Sequence, residues 1–186
     1  MAEAERVLRD GLKNLPGHHK MLNELGHVLG KTGRPEEARY FFAQAVQLAP
    51  QNAAYRVNYG KSLLESGLDA QAAEQYRVHL DLKSDNPAVI NALARLLATS
   101  PHEQLHDGLE AVRLAEELCR QIGRNNHAAL DTLAAAHARA GSFDQAIAVA
   151  ERAIRFATSA KAHREAATYG QRLLLYRRQQ PYVESR

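Results

Sequence analysis

The feature that most constrains this chain is a period of 34 residues. Leu22, Leu25, Gly26, Leu29, Gly33, Ala38, Phe42, Ala45 and Pro50 define one unit. Adding 34 to the first eight gives Arg56, Tyr59, Gly60, Leu63, Gly67, Ala72, Tyr76 and His79, of which six are the same residue or a similar one. A further step gives Ile90, Leu93, Ala94 and Leu97; the register then slips across a longer loop and resumes at Ala111, Ala115 and Leu118. A last unit begins near His127, with Leu130, Leu133, Ala134, His137, Gly141, Ala146, Ala150 and Ala153. A fixed period of this size marks a stack of supersecondary units, each covering the apolar side of its neighbour.

Each unit is helical. Leu22, Leu25, Gly26 and Leu29 stand at i, i+3, i+4 and i+7, one face of a helix. Ala and Leu dominate the 45% of apolar residues, and both lose little side-chain freedom in a helix. The small residue at Gly26, Gly60, Ala94 and Ala134 lets a neighbouring helix approach, and Phe42 and Tyr76 fill the space on the second helix. Gly33, Gly67 and Gly141 stand where the first helix must end and the chain reverse. The pattern predicts helices over 2–16, 19–32, 36–49, 53–66, 70–83, 87–99, 107–122, 127–140, 144–157 and 161–180. The loop at 100–106 is expected to hold no more than a short turn. Ala162, Ala166, Tyr169, Leu173 and Tyr176 form an apolar stripe on the last helix, which is expected to stop near Gln180 because Pro181 restricts the residue before it.

The pattern resembles the tetratricopeptide repeat, W-x2-L-G-x2-Y followed by A-x3-F and P. Leu22-Asn23-Glu24-Leu25-Gly26-His27-Val28-Leu29 matches best, with Leu in place of the Trp and the Tyr; Arg56 at the Trp position matches least. The resemblance implies an all-α fold, a right-handed superhelical α-solenoid of helix-turn-helix repeats closed by a capping helix. It divides a single array over 1–186 into a half repeat at 2–16, repeats at 19–52, 53–86, 87–126 (with the loop insertion) and 127–160, and a capping helix at 161–180. Ala4, Leu8, Gly11 and Pro16 occupy second-helix positions without a first helix before them, so the expectation is a piece of a longer protein. The stretches 96–116, 130–136 and 174–177 resemble the C-terminal arrays of large bacterial tetratricopeptide proteins. The implied function is a scaffold that binds a protein or peptide in the concave groove. The alternatives are an accessory arm of a larger bacterial enzyme, such as a membrane-associated glycosyltransferase, and a self-association module that forms a homo-oligomer.

The resemblance also implies which side chains meet the partner. In the family, the stripe beside the core stripe of each first helix points into the groove. Here it carries Asn23, Asn58, Asn91 and Asp131, then His27, Lys61 and Arg95 at one recurring position, with Lys20, Lys31 and Arg139 flanking. Asn can bond both the donor and the acceptor of an extended backbone, and the cations favour an acidic partner. The carboxylate clamp of some family members is not expected, because Ala88 and Ala92 stand where its third-unit cations belong.

Other chemistry is sparse. His102-Glu103-Gln104-Leu105-His106 fits the H-E-x-x-H zinc-protease pattern, but it lies in the repeat-breaking loop. The expected reading is a helix start, with Ser100 as cap, Pro101 first, and Glu103 reaching back to the Ser100 amide. No metal, cofactor or catalytic residue is expected. Cys119 is the single cysteine and reads as a small core residue. The formal charge is +3 with both signs mixed, so nucleic acid is not an expected partner. The one basic cluster, Arg172, Arg177, Arg178 and Arg186, reads as a solvated helix face. No apolar run approaches the roughly 20 residues that span a bilayer, and residues 1–10 lack a signal-peptide core. A soluble chain, cytoplasmic by default, is the expectation.

Overall fold

A computed structural model describes residues 1–83 and 85–184. Among these residues there are ten α-helices, one 3-10 turn at Glu103–Leu105 and no strand. The helices are α1 (Ala2–Asn14), α2 (His19–Lys31), α3 (Pro35–Leu48), α4 (Ala53–Glu65), α5 (Asp69–Leu82), α6 (Pro87–Thr99), α7 (Gly108–Ile122), α8 (His127–Arg139), α9 (Phe143–Ser159) and α10 (His163–Arg177). Every expected helix is present, with ends within three residues of the expected ones. The chain forms two compact units, Met1–Asp85 with α1 to α5 and Asn86–Arg186 with α6 to α10. In each unit consecutive helices pack together, and in the second α6 also packs on α8.

The turns explain why the helices stop where they do. Gly33, Gly67 and Gly141 adopt φ of +77°, +71° and +76°, the left-handed region that glycine enters without steric cost. Each allows a six-residue closing bond: the amides of Arg34, Leu68 and Ser142 donate to the carbonyls of Leu29, Leu63 and His137. Lys161 and Gln179 take the same conformation, at φ of 58° and 56°, without the glycine that would mark it in the sequence. Gln179 explains a difference from expectation. The Gln180 amide donates to the Leu175 carbonyl at 3.0 Å, which closes α10 at Arg177 rather than beside Pro181.

Helix starts follow the repeat too. Asn52, Asn86 and Asn126 cap α4, α6 and α8, each side-chain oxygen accepting from the second and third helical amides. At the equivalent position 34 residues before Asn52, the His18 ring accepts from the Met21 amide at 3.3 Å. Asparagine is among the strongest N-caps.

The core shows why the small residues recur. A Cβ on Gly26 would lie 2.7 Å from the Phe42 ring, and one on Gly60 would lie 2.6 Å from the Tyr76 ring. Both rings are buried. At the matching positions of the last repeat stand Ala134 and Ala150, also buried. A missing methyl on one helix is thus matched by a ring on the next, whereas the last repeat has a small residue at both positions. Around the glycine–ring contacts, Leu25, Leu29, Ala38 and Phe42 form one apolar cluster, with Leu8, Leu12, Phe41 and Tyr59 packed on it.

Candidate peptide-binding faces

In the first unit, α2 and α4 present four of the expected groove residues together. Asn58 Nδ2 donates to Asn23 Oδ1 at 2.8 Å and to His27 Nε2 at 3.1 Å. Those bonds use both Asn58 amide protons and leave its carbonyl oxygen to accept another. They also place the His27 proton on Nδ1. The His27 ring stands edge-on to Phe42, with centroids 5.1 Å apart, so the core aromatic orients the imidazole. Beside this network lies a groove of about 350 Å³ lined by His27, Lys31, Phe42, Asn58, Lys61 and Glu65, among others. Lys31 and Lys61 are exposed, and neither forms an ion pair among the described residues. Lys20 is exposed at the start of α2 and does not line this groove. Asn23 is 6% exposed, so it supports Asn58 from beneath.

In the second unit the expected groove residues are tied to one another. Asp131 is 4% exposed. Its carboxylate accepts a short charge-assisted bond from Arg172 and lies 3.5 Å from Arg95 Nη1. Burial raises the Asp131 carboxyl above its ordinary value, and the Arg172 and Arg95 charges offset part of that rise. Desolvation works against the Arg172 charge, but the Asp131 carboxylate outweighs it and raises the guanidinium. Asp131 is therefore an anchor for two arginines and not a side chain open to a partner. Arg172 is the further correction. It is 9% exposed, whereas its place in the basic cluster with Arg177, Arg178 and Arg186 predicts a solvated face. Arg177 and Arg178 are exposed as expected, and Arg186 lies outside the described residues.

Two other expected groove residues are structural. Asn91 Oδ1 accepts from the Thr132 hydroxyl at 2.8 Å, linking α6 to α8. Arg139 Nε donates to the Ala98 carbonyl at 2.7 Å, and its Nη1 lies 3.1 Å from His106 Nδ1. His106 Nε2 in turn donates to the Ser100 carbonyl at 2.8 Å. Both nitrogens of His106 are thus engaged, and residues 103–105 form a 3-10 turn, so the H-E-x-x-H residues do not share an α-helical face. The expected cap by Glu103 does not form either. The Ser100 amide donates to the Leu96 carbonyl and closes α6, while the Ser100 hydroxyl accepts from the His102 amide at 3.1 Å. Cys119 is buried, and burial pushes its thiol above the ordinary value.

Two histidine–tyrosine pairs escaped the sequence reading. His19 Nδ1 is 2.9 Å from the Tyr55 hydroxyl, and His127 Nδ1 is 3.1 Å from the Tyr169 hydroxyl. Each ties the start of one first helix to the next such helix in its unit. The recurrence of His19 as His127 in the repeat register was the available signal.

Two family models for the tetratricopeptide repeat match the sequence, over residues 30–96 and 2–53. Together they span just over half of the chain. The chain belongs to the tetratricopeptide-repeat family. The array is also similar in fold to solved structures. MamA is 16% identical, with 83% of this chain and 81% of that one aligned at a TM-score of 0.70. A form of MamA covering residue 41 to the end, from Desulfovibrio magneticus RS-1, is 15% identical over 87% and 96% at 0.64. YrrB, described as a TPR protein with an unusual peptide-binding site, is 12% identical over 91% of both chains at 0.64. No curated protein matches the sequence. The tetratricopeptide array is an all-α helical-repeat solenoid, a protein-interaction fold. Among the described residues no helix is long and apolar enough to cross a membrane.

Proposed function

We propose that this tetratricopeptide array is a scaffold that holds an extended segment of a partner protein on the α2–α4 face, with a preference for acidic side chains. The carrying observation is the Asn23–Asn58–His27 network beside two lysines that form no ion pair among the described residues. The network fixes Asn58 before any partner arrives, so its carbonyl can accept a backbone amide without first losing freedom. Lys31 and Lys61 flank that point with two positive charges against the one negative charge of Glu65. The description of YrrB as peptide-binding supports this use of the fold.

The reading predicts a charge-dependent affinity. Lys31→Glu with Lys61→Glu is expected to weaken partner binding by about fivefold or more at low salt, because attraction becomes repulsion. Raising salt is expected to narrow the gap by screening. Neither side chain is in the core, so the melting temperature is expected to stay nearly unchanged. Titration calorimetry of the captured partner against both proteins checks this, and equal affinities at low salt would count against the reading.

A further inference from the structure

The second unit carries a built site with an occupant already in it. After α10 ends at Arg177, the chain turns back, and residues 181–184, neither helix nor strand, return to α6. The Glu184 amide donates to the Thr99 carbonyl at 2.8 Å. Its carboxylate meets Arg95 Nη2 at 3.3 Å through Oε1 and the Thr99 hydroxyl at 3.3 Å through Oε2. The Thr99 hydroxyl is also 2.9 Å from the Arg95 carbonyl, so its one proton serves a single acceptor at a time. Two residues earlier, the Tyr182 ring lies beneath Arg172, with Cζ 4.4 Å from the ring centroid. Val183, between them, is 45% exposed. The segment thus alternates as an extended peptide does, aromatic inward, Val outward, acid inward.

The receiving side is preorganised. Thr99 is 1% exposed, and Arg172 is buried. Asp131 grips both Arg172 and Arg95, which fixes one guanidinium for stacking and the other for a carboxylate. Three features therefore converge on three residues of bound chain: a cation–π shelf, a backbone acceptor and a charged donor. Cation–π contacts and charge-assisted bonds are each stronger where partly desolvated, as here.

We infer that the α6–α10 face is a binding site for an extended segment with an aromatic residue followed two positions later by a glutamate or aspartate, and that Tyr182–Glu184 is its resident, self-blocking occupant. This rests on the reading that the array binds peptides, but it concerns a different face from the α2–α4 groove. Residues 178–181 form a short tether to α10, and a short tether gives an effective concentration on the order of 1 mM. A partner segment of the same chemistry must outcompete that, so the site opens only to a tight or locally concentrated ligand.

The test uses the full chain and a fluorescein-labelled, C-terminally amidated peptide with the sequence of residues 178–184. Amidation removes the terminal carboxylate, leaving the Glu side chain as the only carboxylate of the peptide itself, and the label is common to every peptide compared. The protein is compared with its Tyr182→Ala/Glu184→Ala variant, in which the resident segment loses both anchors. The peptide is expected to bind the variant at least about tenfold more tightly than the unchanged chain by fluorescence anisotropy. A peptide with Gln in place of its Glu is expected to lose most of that binding, with no change in the protein to complicate the result. Adding Arg95→Ala to the variant is expected to give the same loss, with circular dichroism confirming the helices. Equal binding to the two proteins would overturn self-blocking. Absence of binding to the anchor-free variant, or indifference to Glu versus Gln, would overturn the site. Either failure would leave the α2–α4 reading standing, since Lys31 and Lys61 take no part in this test.

Discussion

Asp131→Ala is expected to cost about 3–5 kcal/mol, the usual penalty for stranding one member of a buried ion pair. The Arg172 side chain is 11% exposed, and its Nε has no hydrogen-bond partner among the described residues. Without Asp131 it would be a buried charge left with only the Tyr182 ring to offset its desolvation. Arg95 is less committed, at 28% side-chain exposure with Glu184 as a second partner, so Arg95→Ala is expected to cost only about 1 kcal/mol. Replacing both members of the buried pair, Asp131→Ala with Arg172→Met, is expected to recover much of the loss, because no charge is then stranded. Urea unfolding of the three variants checks the ranking. A cost for Asp131→Ala as small as that for Arg95→Ala would show that the pair is not buried in solution.

The second large effect lies in the glycine–ring contacts. Tyr76→Ala is expected to cost about 3–5 kcal/mol through lost burial and the cavity left behind. Gly60→Ala alone is expected to cost about 1–3 kcal/mol by overpacking, since its Cβ would sit 2.6 Å from the Tyr76 ring. The two changes should not add. With the ring gone, the added methyl meets open space and offsets part of the cavity, so Gly60→Ala in the Tyr76→Ala background is expected to be neutral or stabilising. A double-mutant cycle reads this coupling directly. Simple additivity would mean that the helix pair shifts to accept the methyl and that the glycine is not there for the ring. In the last repeat the same two positions carry Ala134 and Ala150, both buried.

These contacts also show what a sequence of this kind discloses. A repeat in strict register exposes its helix faces, since spacing alone separates core from flank. Leu25, Leu63 and Leu97 are fully buried for that reason, and Asn58 and Lys61 could be placed on one face from the register alone. The asparagine caps at 52 and 86 were equally legible, because 34 residues separate them. Register fails where the repeat stops. Arg172 and Asp131 are 41 residues apart, across a closing helix that no longer follows the unit, so nothing in the spacing links the basic cluster to a buried acid. The return of residues 181–184 is set by the left-handed Gln179, a conformation that glutamine seldom advertises. Arg139 is a subtler case. Its position is flank by register, yet the end of α6 offers the Ala98 carbonyl and the inserted loop brings His106 within reach, and local bonding overrides the face it would otherwise occupy.

A partner held on the α2–α4 face would be betrayed by the position of its crosslinks. The chain has six lysines, at 13, 20, 31, 61, 83 and 161, of which only Lys31 and Lys61 line the groove. A partner captured by the full chain is treated with an amine-reactive crosslinker, and the linked peptides are identified by mass spectrometry. Crosslinks are expected to concentrate on Lys31 and Lys61 and to fall when an unlabelled competing peptide is added. Crosslinks confined to Lys13, Lys83 and Lys161, with Lys31 and Lys61 unlinked, would place the partner elsewhere than on the α2–α4 face.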